Sequence, residues 1–301
     1  MSYTGPQSEP PQPRRSRRGP LVVTLAALLA GGLIGWGVYE VVGDGGPADD
    51  GAPATPAART SPSAAASARA DGKAAAPLAG KVVVIDPGHN TGNFRHPAEI
   101  NRQVDVGNGR KECDTTGTST NDGYPEARFT LDVAHRLRAL LERQGATVRL
   151  THDEKGPDWG PCVDERARIG NEAHADAAIS IHADGAPAGD RGFHVILPGT
   201  VHAGAADTRP ITGPSRELGE RVAADFRRVT GEPPSNYIGH GTALDTRTDL
   251  GGLNLSTVPK VFVECGNMRD AQDAALLTSG SWRQKAAQGL SEGIVSFLRE
   301  S

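Results

Sequence analysis

The sequence is poor in aromatic residues, in cysteine and in positive charge, and each shortage narrows what the chain can be. Aromatics make up 4% of its 301 residues, and 32 Lys+Arg fall short of 36 Asp+Glu, for a formal net charge of -4. A nucleic-acid partner needs a concentrated basic face, so that class of function is excluded. Three cysteines in the whole chain exclude a disulfide-dense miniature fold. Between Asp44 and Gly80 the only large aliphatic residue is Leu78, too little apolar surface to offset the entropy of ordering that stretch. No internal repeat is evident.

What is present divides the chain. Residues 1–80 hold 10 of the 22 prolines. Residues 1–20 read as a basic cytoplasmic tail, with Arg14, Arg15, Arg17 and Arg18. The run Leu21–Tyr39 follows, 19 residues without a charge, close to the roughly 20 that span a hydrocarbon core. Arginines on its N-terminal side place that side in the cytoplasm. Residues 21–43 are therefore expected to form a single-pass membrane anchor, with everything after them outside. The alternative is a cleaved signal segment and a secreted protein; Val38–Gly43 is a poor cleavage context. Residues 44–80 read as a disordered linker, with 14 alanines in 37 positions and a coil span of roughly 35 Å. Residues 81–301, with 25 basic and 30 acidic residues, are long enough to bury a core.

Within 81–301, short β-branched runs alternate with helical stripes. The runs at 81–86, 147–151, 177–181, 192–197 and 260–264 read as buried strands. Phe129, Val133, Leu137, Leu140 and Leu141 fall on one face of a helix beginning near Glu126. Leu218, Val222, Phe226 and Val229 make a second stripe, and Leu290, Ile294, Phe297 and Leu298 a third. A short helix is expected over 166–172. This alternation predicts an α/β domain with a single, mostly parallel mixed sheet flanked by helices on both faces. Such sheets place their sites beyond the C-terminal strand ends.

At those ends stand groups that carry chemistry. The first run leads into Asp86-Pro87-Gly88-His89, the third into His182, the last into Glu264, and Glu126 heads the long helix. Two imidazoles and a carboxylate form a known catalytic zinc set. A further carboxylate nearby can take the proton of an attacking water. Each residue also has a plainer use. A histidine after a strand can simply bond its loop, a helix-leading Glu can complement the helix dipole, and Glu264 could be the buried partner of an Arg. No compact H-E-x-x-H motif forces the metal reading, so the residues alone leave it open.

The same segments resemble a known family. Val83-Val84-Ile85-Asp86-Pro87-Gly88-His89 is similar to the opening motif of zinc-dependent N-acetylmuramoyl-L-alanine amidases, the type-3 family of peptidoglycan hydrolases. So are Glu126 with its helix leading to Gly145-Ala-Thr-Val-Arg-Leu-Thr151, Arg166-Ala-Arg-Ile-Gly-Asn171 with the run to His182-Ala-Asp184, and Val258-Pro259 through Glu264 to Met268. The likeness covers essentially all of 81–301. It is greatest with compact actinobacterial members, which share the Tyr124-Pro125-Glu126 and Cys162–Arg166 stretches. The resemblance implies zinc held by His89, Glu126 and His182, with Glu264 as catalytic base. The implied reaction cuts the amide between N-acetylmuramic acid and the L-alanine of the stem peptide. Two rivals remain: a zinc carboxypeptidase or endopeptidase acting within the stem peptide, and a non-catalytic wall-binding domain.

Three features depart from or extend that pattern. His152 stands where many relatives carry Arg, so a common salt bridge is expected to be missing. The 36 residues between His89 and Glu126 form a long insertion without an obvious autoinhibitory helix. No wall-binding repeat is recognised in these 301 residues, so targeting is expected to rest on the membrane tether. Cys113 and Cys162 are expected to pair, because the outside of a cell is oxidising; two unrelated thiols are the alternative. Cys265 reads as a buried free thiol. Asp86 either orients a ligand from behind or ends its strand. His194, Asn254 and His240 are candidates for substrate contact, and Glu99, Asp105 and Glu112 are spare carboxylates. His96, His135, His174 and His202 are expected at the surface, and the chain is expected to be a monomer.

Overall fold

The structure is a computed structural model that describes residues 76–300. The tail 1–20, the anchor or signal segment 21–43 and nearly all of the linker lie outside the described residues. Among the described residues no helix is long and apolar enough to cross a membrane. The strands are Val82–Pro87 (β1), Gln103–Asp105 (β2), Arg110–Glu112 (β3), Thr147–Leu150 (β4), Ala177–Asp184 (β5), His194–Pro198 (β6), His202–Ala203 (β7), Ala206–Asp207 (β8), Leu244–Arg247 (β9) and Lys260–Asn267 (β10). The α-helices are Pro97–Ile100 (α1), Glu126–Arg143 (α2), Val163–Glu172 (α3), Thr212–Thr230 (α4), Gly251–Asn254 (α5), Ala271–Leu277 (α6) and Gly280–Glu300 (α7).

Six strands form one sheet in the order β4-β1-β5-β10-β6-β9. The first four run parallel, β6 runs antiparallel to β10, and β9 runs parallel to β6. The sheet is thus the mostly parallel mixed one expected, with β2–β3 and β7–β8 as separate two-stranded ribbons. Strand parity divides its residues between two faces. Val83 and Ile85, Ile179 and Ile181, Val261 and Val263, Val195 and Leu197 point to the main core. There they meet the apolar stripes of three helices: Phe129, Val133, Leu137 and Leu141 of α2, Leu218, Val222 and Phe226 of α4, and Leu290 and Ile294 of α7. Helices α4 and α7 lie backbone to backbone. A Cβ on Gly289 would come within 2.8 Å of the Phe226 Cα, and one on Gly293 within 2.6 Å of the Val222 Cα.

The opposite face is covered more thinly. Val84 and Ala178 pack with Ala175 and Val258 beside α3. Further along the same strands, parity brings up Asp86, Ser180, His182, Phe262 and Glu264. The division follows from the sequence period: the fully apolar face is sealed by three helices, and the polar positions are left for the other side.

One expectation is corrected. The linker does not extend to residue 80. Leu78 is fully buried in the main core, and its N–H donates to the Gln144 carbonyl at the end of α2, 2.9 Å away. One leucine suffices to dock the chain, because it fills the gap between β1 and the end of α2. Pro125 precedes α2 as an extended capping residue, and Glu126 is the first helical position. The elements β9 and α5 were not expected, and α3 begins three residues before the predicted start.

Candidate active site

The turn after β1 brings His89 back over the sheet. His89 itself adopts a left-handed backbone, φ 61°. Gly88 lies so near β5 that a Cβ there would sit 2.3 Å from the His182 ring; only glycine lets the two histidines converge. The His182 ring is stacked on Phe262 of the next strand, with centroids 5.3 Å apart and planes 10° from parallel. Between the imidazoles stands Glu126. Its Oε2 is 3.2 Å from His89 Nε2, and its Oε1 is 2.9 Å from His182 Nδ1. Backbone N–H groups of Thr118 and Ala183 donate to the two carboxylate oxygens, fixing the rotamer. Burial pushes the Glu126 carboxyl up, but the two histidines overcome this and hold it well below the usual carboxylate range.

One ligand atom from each of His89, Glu126 and His182 lies within 4.8 Å of the others. Two imidazoles and one carboxylate, clustered on a half-buried surface, suit zinc with an open position. The far side of the His89 ring is also arranged for this. Its Nδ1 is 3.1 Å from the Thr115 carbonyl and 3.4 Å from Asp114 Oδ1, which turns Nε2 toward Glu126. A carboxylate behind a ligating histidine is the usual outer support of a zinc site.

Glu264 lies on the same face, in register with His182 on one side and His194 on the other. It lines a cleft of about 310 Å³ together with His89, Glu126, His182, Arg247 and Phe262. Its Oε2 is buried and has no partner among the described residues. Burial first, then the carboxylates of Glu126 and Asp184, push the Glu264 carboxyl well up. All four residues singled out from the sequence therefore share one cleft.

Asp86 makes no hydrogen bond to His89, Glu126 or His182. It is buried beneath them and accepts from Arg166 Nη1 (2.8 Å), Thr151 Oγ1 (2.7 Å), Ser180 Oγ (2.5 Å) and Lys260 Nζ (3.3 Å). Burial pushes its carboxyl up, but Lys260 and Arg166 pull it far below the ordinary range. Arg166 Nη2 in turn donates to Asp114 Oδ2, 2.8 Å away, so a buried chain of charges runs from Asp86 through Arg166 and Asp114 to His89. Asp114 was missed from the sequence; its neighbour Cys113 was the available signal. Cys113 and Cys162 are bonded, which joins the segment carrying Asp114 to the start of the helix carrying Arg166. Cys265 is a buried free thiol, as expected.

The remaining candidates separate. His194 is buried beside Glu264, edge-on to Tyr237, and its Nδ1 has no partner among the described residues. Burial lowers its pKa, favouring the neutral ring. Asn254 is not a cleft residue. It is fully buried, and its amide donates to the Val106 and Thr248 carbonyls and to Asn108 Oδ1, so its work is to tie two loops together. His240 is exposed. Among the spare carboxylates, Glu99 faces His96, Asp105 caps its own hairpin, and Glu112 is exposed on β3. Among the described residues His152 makes no salt bridge; its Nε2 is 2.9 Å from the Pro87 carbonyl. His135 is paired with Asp153 at 2.8 Å, whereas His174 and His202 are exposed.

Comparison with known proteins agrees with this geometry. The family model described as N-acetylmuramoyl-L-alanine amidase, type 3, matches residues 83–296. The chain is 44% identical over 225 residues to N-acetylmuramoyl-L-alanine amidase Rv3717 of Mycobacterium tuberculosis, covering 74% of this chain and 88% of that protein. It is 25% identical to the amidase AmiA of Escherichia coli, covering 72% and 76%. The crystal structure of the N-acetylmuramyl-L-alanine amidase Ami1 from Mycobacterium smegmatis superposes with a TM-score of 0.68 at 41% identity, over 74% of this chain and 99% of that one. The apo form of Ami1 from Mycobacterium abscessus gives 0.66 at 42% identity, over 73% and 100%. With this match spanning the folded domain, the chain belongs to the type-3 N-acetylmuramoyl-L-alanine amidase family.

Proposed function

We propose that this amidase cleaves the bond between the lactyl group of N-acetylmuramic acid and the L-alanine of the stem peptide, with zinc held by His89, Glu126 and His182. The observation that carries the reading is the convergence of those three ligand atoms within 4.8 Å in a cleft shared with a free carboxylate, Glu264. Zinc supplies Lewis acidity to the amide carbonyl and to the attacking water. The protein's own residues do the rest. Asp114 and Thr115 fix the His89 ring, Phe262 fixes the plane of His182, and Glu126 is pinned by two backbone donors. Glu264 takes the proton of the attacking water and hands it to the leaving amine of alanine.

Removing the metal with a chelator is expected to abolish hydrolysis of purified muropeptides, and added zinc to restore it. Elemental analysis of the folded, untreated protein is the check; a metal-free sample with full activity would overturn the assignment. Release of intact stem peptide with a free N-terminal alanine distinguishes the amidase from a carboxypeptidase or endopeptidase.

The proposed setting is the outer side of a membrane, with residues 21–43 as the tether and peptidoglycan as the substrate within reach. The uncharged run Leu21–Tyr39 and the arginines before it support this, and the Cys113–Cys162 bond suits an oxidising compartment. The full chain is then expected to sediment with membranes and to be released by detergent, not by salt. Recovery as a soluble secreted species starting after residue 43 would favour signal cleavage instead.

A further inference from the structure

We infer that Arg247 reads the peptide half of the substrate, its guanidinium binding a carboxylate on the stem-peptide residue that follows alanine. This rests on the amidase reading above.

Arg247 ends β9 and lines the cleft that holds Glu264 and His182. Its fork is already set. Nε and Nη2 donate to the two oxygens of Asp249 at 2.8 and 2.6 Å, which fixes the guanidinium plane. Nη1 has no partner among the described residues, and the side chain is 39% exposed, so a ligand can reach it. Asp249 is also shared with Lys111 of β3, whose Nζ lies 3.3 Å away. Asp245 and Glu264 also act on the guanidinium, so Arg247 is a cation held among carboxylates and remains charged. Arg166 also faces the neighbouring pocket, but its donors are committed to Asp86 and Asp114. Among the described residues, Arg247 is thus the cleft's cation with a donor to spare.

The substrate's chemistry decides which anion suits it. The glycan offers hydroxyl and acetamido groups, whereas the carboxylates lie on the peptide. With the scissile amide beside Glu264 and the metal ligands, the peptide leaves from the alanine nitrogen, and Arg247 stands within the same cleft. A planar fork with one edge anchored is well suited to a carboxylate.

The test uses N-acetylmuramoyl-L-alanyl-D-glutamic acid γ-methylamide and its α-carboxamide counterpart; the γ-carboxyl is blocked in both, so they differ only by an α-carboxylate against a carboxamide. The wild-type chain is expected to prefer the acid by about tenfold in kcat/KM, the scale of one charge-assisted hydrogen bond. Arg247→Gln is expected to erase that preference through a higher KM for the acid alone, with Arg247→Lys keeping part of it. Equal losses on both substrates would overturn the assignment, since they would place Arg247 on Glu264 or on the fold. Calorimetric binding of L-alanyl-D-glutamic acid γ-methylamide and its α-carboxamide counterpart to the wild-type chain and to Arg247→Gln reads the same discrimination without turnover. Tighter binding of the acid by the wild-type chain that Arg247→Gln loses supports Arg247 as its reader even if no amide is cleaved, and equal binding by the wild-type chain, or a preference that Arg247→Gln keeps, rejects it even if the amidase is active.

Discussion

Replacing Glu264 with Gln is expected to slow amide hydrolysis by about 10²–10⁴-fold, the usual share of a general acid–base group, while the fold and the zinc content stay unchanged. The geometry says why the two readouts separate. Glu264 Oε2 has no partner among the described residues, so the substitution breaks no structural bond. The same isolation gives a sign to stability. Burial, then Glu126 and Asp184, raise the Glu264 pKa in the metal-free fold. A carboxyl whose folded pKa lies above its unfolded value of ~4.3 makes the fold progressively less stable as pH rises from that value toward the folded one. Metal-free Glu264→Gln protein should therefore melt higher than the parent at neutral pH, and the gain should vanish below about pH 4. Single-turnover rates on muropeptides, melting curves at the two pH values and zinc analysis together check this. A variant hydrolysing within threefold of the parent would remove Glu264 from the mechanism.

That the four principal residues could be found from the chain alone has a physical basis. His89, His182 and Glu264 each end or closely follow a β-branched run, and Glu126 begins an amphipathic stripe. The α/β arrangement then brings such ends to one edge of the sheet. What failed to show in the sequence is what depends on pairing at a distance. Asp114 lies in an insertion with no periodicity and finds Arg166 only through the Cys113–Cys162 closure. Arg247 belongs to Leu244-Asp245-Thr246-Arg247, an edge strand with no apolar run, because only one neighbour covers it. The reversed direction of β6 depends on which strand it meets, not on its own residues. Leu78 looked like linker because composition averages over the one contact that docks it. Asn254 is a polar residue near the motif, and nothing local distinguishes an amide that ties loops from one that faces a cleft.

Replacing Arg166 with Met is expected to have the largest effect on stability. Arg166 is 4% exposed and joins two buried carboxylates, Asp86 and Asp114, each 2.8 Å from its guanidinium. Removing one partner of a buried ion pair costs about 3–5 kcal/mol, because the charge left behind is neither paired nor hydrated. Asp86 retains Lys260, so the burden falls on Asp114. In the parent, burial pushes Asp114 up, but Arg166 and His89 hold it well below the ordinary value. Its contribution is therefore present above the unfolded pKa of ~3.9 and is lost as pH falls through the folded one. Without Arg166, burial dominates and the sign reverses: the variant should gain stability on acidification toward the unfolded pKa, where the parent gains none. Zinc affinity should fall as well, by about 10–100-fold, since Asp114 is the group behind the His89 ring. Asp114→Asn separates the two consequences. It leaves the Arg166–Asp86 pair intact, so it should share the loss of zinc affinity while losing less stability. Urea unfolding at pH 5 and pH 7, with zinc titration of both variants, reads each arm. An Arg166→Met protein as stable as the parent at pH 7 would mean that the chain of charges from Asp86 to His89 is not what holds this side of the cleft in place.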